Sequence, residues 1–527
     1  MPLIKLFSAS VIGMEASLAP VEVDFSRGMP ALNIVGLPDP MIRESRERIR
    51  AAIKNSGFDF PLANITVNLS PAHLKKSGSF FDLPIALGIM LAKDWPNICK
   101  GKPDRAKLIQ ETLFIGELSL DGKIVSSRGV LLAALLTQKE QLSNLVLSSA
   151  NANEAKLADG VNIWPQNNLG ECLGWLKGLA EAIPYQTLLS QAPIPRRKFG
   201  LDFSEVKGQQ LAKRALEIAA TGNHNVLMIG SPGSGKSMLA QRIQTILPPL
   251  SEDKKLEVLK IHSAAGQLGD YCTDSVDEGY QSIPRPFRSP HHASSAAGII
   301  GGLNGMPGEI SLAHGGILFL DELPEYDRRV LESLREPLEA KKISLARIGK
   351  KFNYPADFIL IAAMNPCQCG YFGDSVKSCS CTEYQRQKYL SRISGPMLDR
   401  IDLVVNVGRL SGDELSAIPT GETSEAIHSR VVRAIDFRRN RKLGDEKILS
   451  KEDNHQSENR ENTLSLSAKK LLSLAVTKFD LTGRSYQKTL EVSRTIADLS
   501  QSGFIEESHV AEALQYRASS LQFDLFG

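Results

Sequence analysis

The run Gly230-Ser231-Pro232-Gly233-Ser234-Gly235-Lys236-Ser237 has the residue types needed to hold a polyphosphate. Glycines let backbone N–H groups close around phosphates, Lys236 reaches the β- and γ-phosphates, and Ser237 offers a hydroxyl to Mg²⁺. This GxxxxGK(S/T) pattern stands in its required context, after the apolar strand "NVLMI" and before a helix whose N-terminus faces the phosphates. A second stretch, "GGILFLDE" (315–322), ends an apolar strand in Asp321 and Glu322. Two carboxylates at the end of a buried strand are costly unless a metal or a water uses them. Asp321 is expected in the Mg²⁺ shell, and Glu322 is expected to orient and polarise an attacking water. Asn365 closes the next apolar strand, "FILIAAMN", where its amide would hydrogen-bond that water or the γ-phosphate. ATP and Mg²⁺ are the implied cofactors.

Four of the seven cysteines follow Asn365 at once: Cys367, Cys369, Cys379 and Cys381, spaced CxC-x9-CxC. Four thiolates suffice for one closed tetrahedral Zn²⁺ site, so 367–381 reads as a zinc-binding insertion that staples the exit of the strand. The competing reading is a loop of four reduced thiols, an oxidation liability without a metal. No open ligand position or adjacent base points to a catalytic zinc. Cys99, Cys172 and Cys272 lie apart, which suits reduced thiols in a cytosol better than a disulfide framework.

These elements sit in a chain of 527 residues, too long for one ordinary core. A composition of 42% hydrophobic and 23% charged residues is that of a soluble globular protein, and a net charge of +3 confines any nucleic-acid surface to a local patch. No apolar run approaches bilayer length. The N-terminal "MPLIKLFSASVIGMEASL" lacks the apolar centre and cleavage signal of a secretory peptide, so no membrane association and a cytoplasmic location are expected. Residues 1–185 read as one α/β unit, with strands in "VEVDF" and "ALNIVGL" and a helix carrying Ile42, Ile49 and Ile53. The Pro- and base-rich 186–200 reads as a linker, 201–410 as the nucleotide core and 411–527 as mostly helical. Helices are expected at about 465–478, 484–501 and 506–518, with a polar connection over 450–462.

"GEISLAHGGILFLDELPE", "NPCQCGYFGD", "SRISGPMLDRIDL" and "VEVDFSRGMPALNIVGLPD" resemble the ComM/YifB family of magnesium-chelatase-like AAA+ ATPases, and the resemblance runs over essentially the whole chain. It implies a homohexameric DNA helicase that drives branch migration when single-stranded DNA recombines during natural transformation. Spacing alone reaches only a ring-type ATPase. In this superfamily the Asn365 position is sensor 1, and Arg400 and Arg484 are candidates for the arginine finger, supplied across a subunit boundary, and sensor 2. The bland alternative for either arginine is a surface ion pair. The N-terminal domain resembles the S5-type, Lon-protease-like α/β fold. Aligned on Lys76 and Gly78, its nucleophile position falls on Phe80 and its lysine position on Leu131, with Ser79 one place off, so no peptidase is implied. The expected architecture is thus α/β: a Lon-like N-terminal domain, an AAA+ core with a four-cysteine insertion and a C-terminal helical lid.

"EAKKISLARIGKKFNYPADFILIAA" reads as strand, tight turn, strand, with Gly349-Lys350-Lys351 at the tip. The family places such a hairpin in the ring pore, where Lys350 and Lys351, then Arg347, Lys341 and Lys342, would meet DNA phosphates. A solvated basic turn is the alternative. Residues 286–309, with Arg288, His291 and His292, form a weaker second pore-loop candidate, and "RRNRK" (438–442) could also bind DNA but reads first as a solvated helix face. The end of the chain, Gln522-Phe523-Asp524-Leu525-Phe526, resembles the QL(S/D)LF peptide that docks on the bacterial sliding clamp, with Phe523 where Leu is usual. Packing of that tail on the lid is its rival. Two other functions compete with the helicase: the motor subunit of a metal chelatase and a nucleotide-controlled recombination scaffold.

Overall fold

A computed structural model describes residues 3–36, 40–71, 76, 80–92, 94–96, 98, 103–179, 184–185, 200–268, 283–302, 305–347, 350–374, 376–410, 414, 421–449 and 464–525. The linker 186–200 (except Gly200), the 450–462 connection, Ser79, Gly349 and Phe526 lie outside them. The chain divides into two units. One comprises Met1–Pro195, Lys255–Ile283 and Gly305–Pro307; the other comprises Arg196–Lys254, Pro284–Asn304 and Gly308–Gly527.

In the first unit the described residues form nine strands: β1 (Ile4–Ile12), β2 (Glu15–Ser26), β3 (Ala31–Val35), β4 (Asn64–Leu69), β5 (Thr112–Phe114), β6 (Glu117–Leu118), β7 (Ile124–Val125), β8 (Asn144–Ser148) and β9 (Asn162–Gln166). Seven form a mixed sheet in the order β3-β4-β2-β1-β5-β8-β9, with β6 and β7 as a separate short pair. Strand β1 runs antiparallel to β2, whereas β5, β8 and β9 continue parallel to it. The helix Pro40–Asn55 buries Ile42, Ile49 and Ile53, as their spacing predicts. Helix Asp82–Leu91 is apolar on every side and is an interior element. Gly88 on this helix is needed for packing, because a Cβ there would stand 2.6 Å from Val23 Cγ2. Buried Asp82 is met by Arg48 at 2.6 Å and by the Leu118 N–H at 3.2 Å. Phe80 and Leu131 are 4% and 0% exposed members of an apolar core, so these two positions serve packing.

The second unit holds β10 (Val226–Ile229), β11 (Phe287–Arg288), β12 (Ile317–Leu320), β13 (Lys342–Arg347), β14 (Lys350–Pro355), β15 (Ile359–Met364) and β16 (Leu403–Asn406). Five of these form a parallel sheet in the order β11-β12-β15-β10-β16. Strands β10, β12 and β15 are buried along their whole length, as expected for parallel strands covered on both faces. Ile229 pairs with Met364 and Leu320 with Ala362, so the carboxyl ends of these three strands open on one edge. Ligands bind at such an edge in open α/β sheets. Strands β13 and β14 form a separate antiparallel hairpin closed by the pair Arg347–Lys350. Lys350 and Lys351 therefore begin the returning strand and do not occupy the turn itself.

Beyond β16 the described residues carry the helices Ser424–Leu449, Leu466–Phe479, Gly483–Leu499 and Glu507–Leu525. Ile427, Val431, Val492, Ile496 and Tyr516 pack into the same core as the strands of the parallel sheet. The "RRNRK" cluster is not wholly a solvated face. Arg438 (2.8 Å) and Arg441 (3.4 Å), joined by Arg494 (3.0 Å), close on Asp498, whose side chain is fully buried. The last helix runs through Leu525 and does not stop near Ser519, because "SSLQFDL" contains no glycine or proline to end it. Gln522 to Leu525 are thus helical, not the extended peptide expected of a tail that docks on a clamp. No helix among the described residues is long and apolar enough to cross a membrane.

Candidate active site

Strand β10 delivers the chain into the phosphate loop. Gly230 is required by contact, since a Cβ there would lie 2.2 Å from the Val407 carbonyl oxygen. Gly233 and Gly235 adopt φ of +77° and +92°, the left-handed region that lets successive N–H groups turn inward. The helix Lys236–Arg242 follows directly. Lys236 is 8% exposed, and its Nζ donates to the carbonyls of Gly230 (2.7 Å) and Ser231 (3.0 Å) and to Asn365 Oδ1 (3.3 Å). Burial draws this ammonium below its usual pKa, and the carboxylates of Asp321 and Glu322 offset part of that. Asn365 is brought here because β15 lies beside β10.

On the other side of β15, β12 carries Asp321 to the same edge. Ser237 Oγ donates to Asp321 Oδ2 at 2.7 Å, across 84 positions of sequence. An octahedral Mg²⁺ with oxygens at roughly 2.1 Å sets neighbouring ligands roughly 3.0 Å apart, so this pair already stands near a suitable spacing. Asp321 Oδ1 is oriented by the Glu322 N–H at 3.0 Å. Glu322 has φ +53° and ψ +47°, a left-handed conformation that costs a non-glycine residue energy and is concentrated at functional sites.

Sequence reasoning missed the partner of Glu322. His292 Nδ1 lies 3.2 Å from Glu322 Oε2, with the His291 ring 4.1 Å away and Tyr326 meeting it edge-on. The other polar side chains expected to reach DNA from 286–309 are also engaged within the chain. Arg288 forms a two-pronged pair with Glu309 (2.6 and 2.7 Å), and His291 Nδ1 accepts the Ala293 N–H. No local pattern announces the His292–Glu322 meeting, because it depends on β11 lying beside β12.

Arg400 and Arg484 are brought together, but on a carboxylate of their own chain. Arg400 Nη2 and Arg484 Nη2 approach Glu339 Oε1 at 2.7 and 2.5 Å. Arg400 is 7% exposed and donates further to the carbonyls of Arg335 (3.3 Å) and Pro396. Hydrogen bonding by Arg400 holds the Glu339 carboxyl below the usual carboxylate range. Lys341 pairs with Asp357 at 3.2 Å at the foot of the β13–β14 hairpin, and Lys342 is exposed.

The four cysteines converge. Their sulfurs all lie within 4.8 Å of one another, with Cys367 Sγ 3.3 Å from Cys369 Sγ and 3.6 Å from Cys379 Sγ. Tetrahedral zinc with Zn–S bonds of about 2.3 Å spaces sulfurs roughly 3.8 Å apart, so the donor set fits. Burial raises the Cys367 thiol. Burial opposes ionisation at Cys369 too, yet the N–H groups of Tyr371 and Ser380 pull that thiol down to about 5. Such donors favour thiolate, the form that binds metal.

Three family models match the chain in succession. They are "Subunit ChlI of Mg-chelatase" over residues 21–151, "Magnesium chelatase, subunit ChlI" over 202–415 and "Magnesium chelatase, subunit ChlI C-terminal" over 421–517. The chain is 38% identical over 522 residues to the competence protein ComM of Haemophilus influenzae, covering 98% of each. It is likewise 38% identical to YifB of Escherichia coli, over 98% of this chain and 97% of that one. A more distant likeness, 26% over 315 residues, covers 57% of this chain and 33% of the DNA replication licensing factor Mcm6 of Drosophila melanogaster.

Proposed function

The chain belongs to the ComM/YifB family of magnesium-chelatase-like AAA+ ATPases, and on that premise we propose a homohexameric, ATP-driven DNA motor that promotes branch migration during natural transformation. The observation that carries this reading is the convergence of Lys236, Ser237, Asp321, Glu322 and Asn365 on one edge of the parallel sheet. Lys236 turns from its own loop to the β- and γ-phosphates. Ser237 and Asp321 hold Mg²⁺, which neutralises charge on the phosphates when bound. Glu322, on its strained backbone, orients and polarises the attacking water, and Asn365 fixes that water relative to the γ-phosphate.

Arg400 and Arg484 exchange Glu339 for the γ-phosphate held by a neighbouring subunit, which makes hydrolysis depend on ring assembly. The basic hairpin, with Lys350, Lys351 and Arg347 toward its tip and Lys341 and Lys342 at its foot, follows DNA through the pore. The N-terminal unit, in this reading a Lon-like domain without protease residues, serves assembly or DNA contact. The four cysteines hold a structural Zn²⁺.

A second reading has a specific observation behind it, since all three family models describe a magnesium chelatase subunit. In that case the motor would act on a tetrapyrrole-metallating partner. The near-complete match to ComM favours the DNA motor. The deciding experiment is branch migration on three-stranded and forked DNA with and without ATP, alongside ATP hydrolysis with and without DNA. DNA-stimulated turnover and ATP-dependent strand exchange are expected. Turnover indifferent to DNA, with no strand exchange, would reject the motor.

A further inference from the structure

The four-cysteine loop rests on the phosphate loop through its backbone. Gly370 lies between the two cysteine pairs at φ +87°, and a Cβ there would stand 2.7 and 2.8 Å from Cδ and Cγ of Pro232. The Gly370 N–H donates to the Cys367 carbonyl at 3.0 Å, so the contact point is tied back to the first cysteine pair. Four residues on, Asp374 places a side chain that is 1% exposed beside Ser231, with Arg409 at 3.8 Å. Its Oδ1 accepts the N–H groups of Val376 and Lys377 at 2.9 Å each. Ser231 and Pro232 are the residues next to Gly230, and the Ser231 carbonyl is one of the acceptors that hold Lys236.

We propose that residues 367–381 form a brace for the phosphate loop, in which Gly370 and Asp374 are positioning residues that set nucleotide affinity. Neither residue touches nucleotide in this scheme. A phosphate loop already held with its N–H groups inward loses less conformational freedom when it binds, and that saving appears as affinity. Cross-linking the loop through its thiols makes the support stiffer than hydrogen bonds alone would. The inference rests on the reading of this site as an ATP site with a metal-loaded cysteine centre, and it adds a route by which the state of that centre reaches nucleotide binding.

The test is titration of the full-length protein with a fluorescent ADP analogue, with zinc content measured on each sample. Gly370→Ala drives a Cβ into the Pro232 ring and strains the backbone, and Asp374→Ala removes the acceptor beside Ser231. Each is expected to weaken binding about tenfold, with KM for ATP raised, kcat near wild type and zinc retained. Asp374→Asn keeps the acceptor for Val376 and Lys377 and should stay within about twofold of wild-type affinity. Cys379→Ser with Cys381→Ser should weaken binding as the two single variants do. Wild-type affinity in both Gly370→Ala and Asp374→Ala would overturn the brace. A wild type that binds nucleotide but carries no zinc refutes the metal reading alone, and the two variants still decide the brace. A wild type that binds no nucleotide overturns both.

Discussion

Replacing Glu322 by glutamine tests the hydrolytic assignment most directly. The change preserves shape, and Glu322 is half-exposed at the mouth of the site, so the fold has little to lose. What disappears is the carboxylate proposed to polarise water. Positioned general bases contribute about 10²–10⁴-fold, or roughly 3–5 kcal/mol of barrier, and kcat should fall by that factor. Affinity for ATP should be retained or tighter, because one negative charge facing the phosphates is removed. His292 supplies the internal control. An exposed pair of this kind is worth about 0–1 kcal/mol, so His292→Ala should lower kcat by no more than about fivefold. If His292 acts only by orienting Glu322, that loss should vanish in the Glu322→Gln background. The assay is steady-state phosphate release with saturating DNA, paired with nucleotide binding at equilibrium. Turnover of Glu322→Gln within about fivefold of wild type would refute the role of Glu322. Full additivity of the two substitutions would refute the role of His292.

Lys350→Ala with Lys351→Ala should weaken DNA binding and flatten its dependence on salt by about two phosphate contacts, leaving DNA-free ATP hydrolysis unchanged. An unaltered salt slope would remove the hairpin from the DNA path. Glu339→Gln should release Arg400 and Arg484 from their shared carboxylate and raise ATP hydrolysis in the assembled ring without DNA. A fall in that hydrolysis would instead show that Glu339 holds the two arginines in their working position. Burial keeps His224 below its ordinary pKa, and its Nε2 is 2.8 Å from Thr495 Oγ1 on the helix Gly483–Leu499. The unfolded chain therefore takes up a proton below about pH 6.5 that the folded chain resists, so stability is full above that pH and declines as pH falls. Melting temperatures at about pH 7.5 and 5.5 should differ less in His224→Gln than in wild type, and an equal difference in both would reject this cause.

The phosphate loop was legible because its chemistry is local: glycines, a lysine and a serine must be contiguous for backbone and side chains to surround one phosphate chain. Asp321, Glu322 and Asn365 were legible for a related reason, each standing where an apolar strand ends. The cysteines could be grouped from spacing, although the geometry shows more, since Cys369 and Cys381 also offer backbone N–H groups to neighbouring sulfurs. Contacts between distant segments were not legible. His292 reaches Glu322 only because β11 pairs with β12, and Arg438 and Arg441 turn inward only because Asp498 is buried opposite them. Arg400 carries a family motif, but nothing near it in sequence shows that Glu339 occupies it within the chain. The final helix passed its expected stop for the opposite reason. Between Ser519 and Leu525 the absence of helix breakers outweighs the apolar composition that suggests a separate tail.

The segment Lys255–Ile283 belongs to the first unit although it follows the phosphate loop in sequence. Leu259, Leu268 and Ile283 complete an apolar core with Ala133, Leu136 and Leu145, and the Gly129 N–H donates to the Ser263 carbonyl at 2.9 Å. Ser263 Oγ also satisfies buried Glu154 at 2.6 Å. On the ribosome, the N-terminal unit is therefore incomplete when Pro195 emerges. It waits for the stretch up to Ile283, roughly 4–18 s more at 5–20 residues per second. During that interval part of its core faces solvent, a surface open to chaperones. A gene fragment cut at residue 195 would make that transient exposure permanent, so a soluble N-terminal half has to be built with Lys255–Ile283 restored to it.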